Sequence, residues 1–292
     1  MSNLPSQHHR LNTHARHLEK SLTALLWTVR FRWTATLVID RLLGGNGLVR
    51  KLIEQKLLVE HRIGNPFSPV RYYVTLSKDG LALLQRHWDE IGRSAHGHLA
   101  MCLTNSFELP SRPEHRIREV RFEHDLHVQF QVTALIRRQG LQLDSLRLAD
   151  DLERAPPDKR PSKIPDAIIH LRSRSFPVDR TISKLWIEVE FSRKNAREID
   201  MFCAYYRGAL AGITEKNFQA LEIYCHPSVL RQWRRDFART MVPKWHFRKD
   251  TRTWVRLDPK DWFHFPELSI VRLHDHVRAL PVDSKTNSTA QA

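Results

Sequence analysis

Cysteine is scarce in this chain: Cys102, Cys203 and Cys225 are the only three among 292 residues. They are scattered without metal-ligand spacing, which argues against a zinc module or a disulfide framework and fits a reducing, cytoplasmic setting. No apolar run approaches the length needed to cross a bilayer, and no signal-peptide pattern stands at the N-terminus, so membrane insertion is not expected. No internal repeat is visible. Acidic residues are the minority charge, 32 against 47 Lys and Arg.

The resulting excess of +15, with a pI near 10.2, calls for a polyanionic partner, most simply nucleic acid. A basic membrane-surface protein is the rival. A hydrophobic fraction of 41% beside mixed charge marks a globular chain, and the length allows two domains, each with its own core.

Residues 1–15 are polar and His-rich (His8, His9, His14) and are expected to be mobile, as is the tail 283–292. A first module spans 16–93. Its pattern gives helices over 18–31 and 36–43, the second ended by Gly44-Gly45. A third helix over 47–56 is capped by Asn46 and carries Arg50, Lys51 and Gln55 outward. Strands over 57–62 and 70–76 flank a turn at Gly64-Asn65-Pro66, and a last helix begins at Leu76-Ser77-Lys78-Asp79-Gly80. Three helices followed by a two-stranded wing describe a winged helix-turn-helix. Its third helix would enter the major groove of double-stranded DNA, with Arg62 and Arg71 of the wing on phosphates or in the minor groove. A winged helix used for protein contacts is the alternative. Residues 94–113 read as a linker, with Pro110 and Pro113 breaking any helix.

The second module, 114–282, starts with a helix over 114–139 and a strand over 141–152, then a Pro-rich loop. The segment Ile164-Pro165-Asp166-Ala167-Ile168-Ile169 opens a strand with a carboxylate at its head. Next comes Leu185-Trp186-Ile187-Glu188-Val189-Glu190-Phe191. Strand alternation puts Glu188 and Glu190 on one face and Ile187, Val189 and Phe191 on the other. Both glutamates could simply be solvated. Yet a helix over 195–212 and a strand over 220–225 follow, which implies a sheet covered by helices. Paired carboxylates are costly to bury there without a cation. Three carboxylates from two strands make the all-oxygen site that Mg²⁺ or Mn²⁺ prefers, with Lys194 as a nearby cation. Helix, three strands, helix, strand is the order of a restriction-endonuclease-like core, an α/β (α+β) mixed sheet with flanking helices.

Pro165-Asp166 followed by Glu188-x-Glu190 resembles the Pro-Asp-(Asp/Glu)-x-Lys nuclease motif, with Glu where Lys is usual. Preceded by a winged helix, and with Glu123-His124-Asp125-Leu126, the chain resembles the MobC-type replication-relaxation proteins of mobilisable plasmids. Some of these are relaxases that nick a transfer origin by metal-dependent chemistry. The resemblance implies Asp166, Glu188, Glu190 and Lys194 as the catalytic set, with Glu123 or Glu119 added from the preceding helix. It also implies a relaxosome accessory or coupling protein as a further partner.

In that chemistry Asp166 and Glu188 hold the metal. Glu190 completes the shell or takes a water's proton, Lys194 stabilises phosphate charge, and Glu123 binds a second cation. His124 reads as a structural histidine and Tyr206 as core. Arg231, Arg234, Arg235 and Arg239 crowd one helix. Beyond it Lys244, Arg248, Lys249, Arg252 and Arg256 interleave with Trp245, Phe247 and Trp254. Cations beside aromatics suit single-stranded DNA, whose backbone they would track while Trp254 stacks on unpaired bases. A charged hairpin with its aromatics in the core is the alternative. The expected function is a sequence-specific DNA nickase. The rival is a non-catalytic DNA-binding accessory or regulator with a degenerate nuclease fold, favoured by the missing Lys at position 190.

Overall fold

The computed structural model describes residues 13–65, 68–105, 107–113, 117, 121–137, 141–156, 163–173, 182–210, 220–265 and 271–274. The fold is mixed α/β, and the chain divides into two compact units. One comprises Met1–Gly64 and Tyr72–Ile117, the other Asn65–Arg71 and Arg118–Ala292.

The first unit is organised around α1 (Thr13–Arg30), whose residues from Ser21 to Arg30 are all buried. Such a helix is wrapped on every side and cannot be amphipathic along that stretch. Because it starts at Thr13, the segment expected to be mobile as far as residue 15 is already helical at its end. α2 (Thr36–Leu43) buries Val38, Ile39 and Leu42 and ends at Gly44, whose left-handed backbone (φ 66°) lets its N–H donate to the Asp40 carbonyl. α3 (Leu48–Glu54) buries Val49 and Leu52. Its N-cap is Gly47 at φ 86°, without a side-chain cap, so the cap expected from Asn46 does not form.

β1 (Leu58–Arg62) and β2 (Tyr72–Leu76) pair antiparallel from Leu58↔Leu76 to Arg62↔Tyr72. Thr34 bridges to Val74 on β2 through both backbone bonds, 3.0 and 2.8 Å. α4 (Lys78–Gly92) is capped by Ser77, whose hydroxyl accepts from the Gly80 amide at 2.9 Å. A Cβ on Gly80 would lie 2.2 Å from the Leu57 carbonyl oxygen, so only glycine lets the helix start against that backbone. The expected linker is not one throughout. Residues His98–Thr104 form α5, which buries Ala100, Cys102 and Leu103 and packs on α1 and α4. Helix breaking by Pro110 and Pro113 says nothing about a helix that finishes before them.

The second unit contains α6 (Phe122–Ile136), β3 (Leu141–Leu148), α7 (Ala149–Arg154), β4 (Ala167–Ser173), β5 (Ile182–Glu190), α8 (Ala196–Leu210), β6 (Ala220–Cys225) and α9 (Pro227–Phe237). The strand expected over 141–152 stops at Leu148, where the side chain of Asp151 accepts from the Leu148 amide and α7 begins. Beyond α9 come β7 (Met241–Val242), β8 (Trp245–Arg248), β9 (Thr253–Arg256), β10 (Phe263–His264) and β11 (Val271–His274).

The main sheet has the order β11-β6-β5-β4-β3. β3, β4 and β5 form an antiparallel meander, whereas β5, β6 and β11 run parallel. A parallel neighbour needs a crossover, and α8 supplies it between β5 and β6. One face of the sheet carries Ile168, Trp186, Leu221, Ile223 and Cys225. These pack in one cluster with Phe202, Cys203 and Tyr206 of α8 and Val229, Trp233 and Phe237 of α9. Leu185 to Glu190 are buried throughout, as befits a strand covered on both faces. The tail 283–292 and the end of the expected second module lie outside the described residues.

Gly80→Ala tests the close approach at the start of α4. Overpacking against a fixed backbone carbonyl should cost about 1–3 kcal/mol of unfolding free energy in urea. Unchanged stability would show that the β1–α4 junction shifts freely.

Candidate functional site

Antiparallel pairing of β4 with β5 brings the head of one strand beside the end of the other, since Ala167 faces Ile187. Asp166, one residue before β4, therefore meets the segment that holds both glutamates. Its Oδ2 accepts from the Val189 amide at 2.8 Å, the residue between Glu188 and Glu190. Glu188 is 3% exposed and Glu190 6%. The solvated reading of the pair is thereby excluded.

Each buried carboxylate has its own compensation. Glu188 accepts a hydrogen bond from the Tyr206 hydroxyl, and Lys163 Nζ lies 3.8 Å from its Oε1. Lys194 Nζ lies 3.0 Å from Glu190 Oε1. His124 on α6 places Nε2 3.3 Å from Asp166 Oδ2 and Nδ1 3.1 Å from Asp125 Oδ1. Lys163 and Lys194 also stand 5.3 and 6.0 Å from the centre of the Phe202 ring.

The titration of these groups follows from that arrangement. Burial, then the charges of Asp166 and Glu190, drive Glu188 well above the usual carboxylate range against the pull of the lysines. Burial also raises Glu190, opposed by Lys194. For Asp166 burial acts upward, but His124, the Val189 amide and Lys163 together hold it below its ordinary value. Burial works against the charged form of His124 as well, yet its bonds to Asp125 and Asp166 raise it to about 10. Deeper along α6, burial and the nearby His124 and His226 push His127 down to about 4. His127 lies against Phe191 with the rings tilted at 56° and their centres 4.9 Å apart.

The structure thus brings together Asp166, Glu188, Glu190 and Lys194 from the expected set. Glu123 does not join them: it is exposed on the first turn of α6, and the neighbouring His124 is the residue that reaches Asp166. Glu119 lies outside the described residues. Sequence reasoning missed Lys163, three residues before Asp166 in a Pro-rich stretch with no periodic signal. His124, read as a satisfied structural histidine ahead of a catalytic one, is paired with Asp125 and Asp166. Tyr206 is core as expected, at 0% exposure, and serves Glu188 as well. Among the described residues, these carboxylates do not present three ligand atoms all within 4.8 Å of one another. Each has turned toward its own cation or donor instead.

The residues expected to contact DNA are all at the surface. Arg50, Lys51 and Gln55 lie on or just after α3, and Arg62 and Arg71 at the β1–β2 hairpin. Arg231 and Arg235 are on α9, and Lys249 and Arg252 in the β8–β9 turn. Arg50 is paired with Glu54 at 3.1 Å and Arg235 with Asp236 at 3.1 Å. Trp254 and Phe247 are 38% and 39% exposed, with ring centres 5.3 Å apart, so this aromatic pair is not core. Arg197 of α8 stands 5.3 Å from the Trp254 ring centre. Trp245 is the anchor of this hairpin, donating from Nε1 to Asp200 on α8 at 3.0 Å.

No protein-family model matches the chain, and searches of curated proteins and of solved structures return no significant match.

A His124→Asn variant checks the imidazolium between Asp125 and Asp166. A folded-state value raised to about 10 means that the stabilisation is complete below the unfolded value near 6.5 and is lost as pH rises through 10. Without divalent cations, wild type should exceed the variant by about 1.5–3 kcal/mol at pH 6, the worth of hydrogen bonds to a charged group, and the gap should close by pH 10. A gap independent of pH would mean that His124 is neutral in the fold.

Proposed function

We propose that this chain binds DNA through its first unit and cleaves a phosphodiester bond with the carboxylate cluster of its second. On this reading the first unit is a winged helix-turn-helix, supported by the order of α1, the Thr34 bridge, α2, α3, the β1–β2 hairpin and α4. The second is a restriction-endonuclease-like domain, supported by the antiparallel β3–β4–β5 meander with β6 parallel to β5. The observation that carries the chemistry is the meeting of Asp166 with Glu188 and Glu190 through the Val189 amide, flanked by Lys163 and Lys194.

The donor set fits a hard divalent cation. Asp166, Glu188 and Glu190 offer only oxygens, and burial raises both glutamates despite the adjoining lysines, a cost that a bound cation would offset. Asp166 and Glu188 would hold Mg²⁺ or Mn²⁺, with Glu190 completing the set. When bound, such an ion polarises a phosphate oxygen and makes water a better nucleophile. The chain's own groups supply the rest. Where Glu190 does not complete the set, its carboxylate instead accepts the proton of the attacking water. Lys194 and Lys163, now spent on carboxylates, turn to the phosphate oxygens as charge develops there. These two lysines answer the objection that position 190 is not Lys, because cations arrive from one helical turn later and from the loop before Asp166.

The surface residues divide the DNA between the units. Arg50, Lys51, Arg62 and Arg71 suit duplex, while the exposed Phe247–Trp254 pair among Arg248, Lys249 and Arg252 suits an unpaired strand. Nicking at a plasmid transfer origin, with a relaxosome accessory or coupling protein as partner, is the biological setting this reading favours. A second reading, a non-catalytic DNA-binding accessory, is favoured by the engagement of every cluster carboxylate with a protein cation or donor.

Supercoiled plasmid carrying the cognate origin, incubated with protein and Mg²⁺ or Mn²⁺, separates the two readings. Open-circular product that disappears in Asp166→Asn and Glu188→Gln, with duplex affinity unchanged, supports the nickase. Persistent supercoils with intact binding support the accessory.

The division of labour has its own signature. Lys51→Ala should flatten the log-affinity against log-salt slope on duplex by about one unit. Trp254→Ala should weaken single-strand binding by about 1–3 kcal/mol and leave duplex binding nearly untouched. Normal single-strand affinity in the Trp254 variant would remove the aromatic pair from the DNA path.

A further inference from the structure

The end of α4 carries a cluster that the nuclease reading does not use. Glu90 Oε2 lies 2.7 Å from His87 Nδ1 and 2.8 Å from His96 Nε2, and the three ligand atoms all fall within 4.8 Å of one another. The side chains of His87 and His96 are 20% and 14% exposed, and their rings meet edge to face at 5.1 Å.

Local structure explains why a loop residue joins two from the helix. After α4 the chain doubles back: the Arg93 amide donates to Asp89, Ser94 to Ile91, and Ala95 to the Glu90 carbonyl itself. Ser94 takes a left-handed conformation (φ 63°) to do so. Gly97, at φ 89°, follows His96, and a Cβ there would lie 2.1 Å from the Glu19 carboxylate of α1. Backbone hydrogen bonds from Arg93, Ser94, Ala95 and Gly97 thus hold the turn bearing His96. His87 and Glu90, three residues apart, share one helix face.

We propose that His87, Glu90 and His96 form a binding site for a divalent transition-metal ion, best matched by Zn²⁺, with water as the fourth ligand. Two imidazoles and a carboxylate from a helix and a following loop are a borderline donor set, suited to zinc and poorly suited to Mg²⁺. Tetrahedral zinc with ligand bonds near 2.1 Å separates its ligand atoms by roughly 3.4 Å. The two hydrogen-bonded pairs need open only by roughly 0.6–0.7 Å to reach that spacing, and the two ring nitrogens already lie within 4.8 Å of each other. The last turn of α4 contains no Lys or Arg ahead of the Arg93 C-cap, while Asp89 and Glu90 sit at the negative pole of the macrodipole. A bound cation would complement that pole and pin the α4–α5 turn. The site belongs to the first unit alone and does not depend on the nuclease reading.

Untagged full-length protein, stripped with chelator, should take up one Zn²⁺ per chain at this site and show tetrahedral d–d absorption with Co²⁺. His87→Asn and His96→Asn should each weaken zinc binding by at least about 100-fold, beyond what loss of a second-shell partner costs. Millimolar Mg²⁺ should not compete. Glu90→Gln, an exposed change that spares the fold, should weaken binding as well and guards against loss of structure in the histidine variants. Absence of zinc binding in the wild type, or wild-type affinity in all three variants, overturns the assignment; the latter would place the ion on other histidines of the chain.

Discussion

Burial of two like charges at the end of one strand is the constraint around which the second unit is built. Glu188 and Glu190 sit in the buried stretch 185–190 of β5, where water hardly reaches them. An isolated buried carboxylate is too costly to persist in charged form. The surrounding residues relieve that cost from three directions, Tyr206 from the crossover helix, Lys163 from the loop before β4 and Lys194 from the segment before α8, whereas Asp166, held by the Val189 amide and His124, adds to it. Removing any one of the three would leave a charge or a donor stranded in a dry interior, which costs more than the pair interaction itself returns.

A second polar network does comparable work on α8. Asp200, 3% exposed, accepts from Trp245 Nε1 and pairs with Arg239 Nη2 at 2.8 Å. Arg239 also lies 3.7 Å from Asp236, and its carbonyl accepts from Arg207, which reaches the Phe265 carbonyl as well. One helix thus backs the carboxylate cluster with Tyr206 and anchors the aromatic hairpin with Asp200. Any strand of nucleic acid stacked on Trp254 would rest on the same helix that shapes the buried site.

Much of this was legible in the sequence because it rests on local rules. The bounds of α2 follow from Gly44, and the start of α4 follows from Ser77 with Gly80. The shared face of Glu188 and Glu190 follows from strand alternation alone. What was illegible depends on tertiary proximity. α5 is a short helix stabilised by α1 and α4, and its own sequence, bracketed by His96-Gly97 and Pro110, carries no strong periodic signal. Lys163 belongs to a loop, where spacing has no meaning until the strand after it is paired. The choice between Glu123 and His124 turns on the rotation of α6 about its axis by one residue, about 100°, which a motif of short range does not encode. Burial of nearly every residue on α6 from Leu126 to Val132 removes the amphipathic stripe that would otherwise have set that rotation.

The pairing register of β4 and β5 has a consequence in time rather than in space. His124, Lys163, Asp166, Glu188, Glu190 and Tyr206 come from four separate stretches of chain, and the β4–β5 pairing is what brings Asp166 to the glutamates. Non-local pairings of this kind form late, after loop closure has been overcome. A slip of one residue in register would turn both glutamates to the other face and detach Asp166 from Val189. The cluster is therefore incomplete in a chain emerging from the ribosome, and assembles only when β5 has settled beside β4.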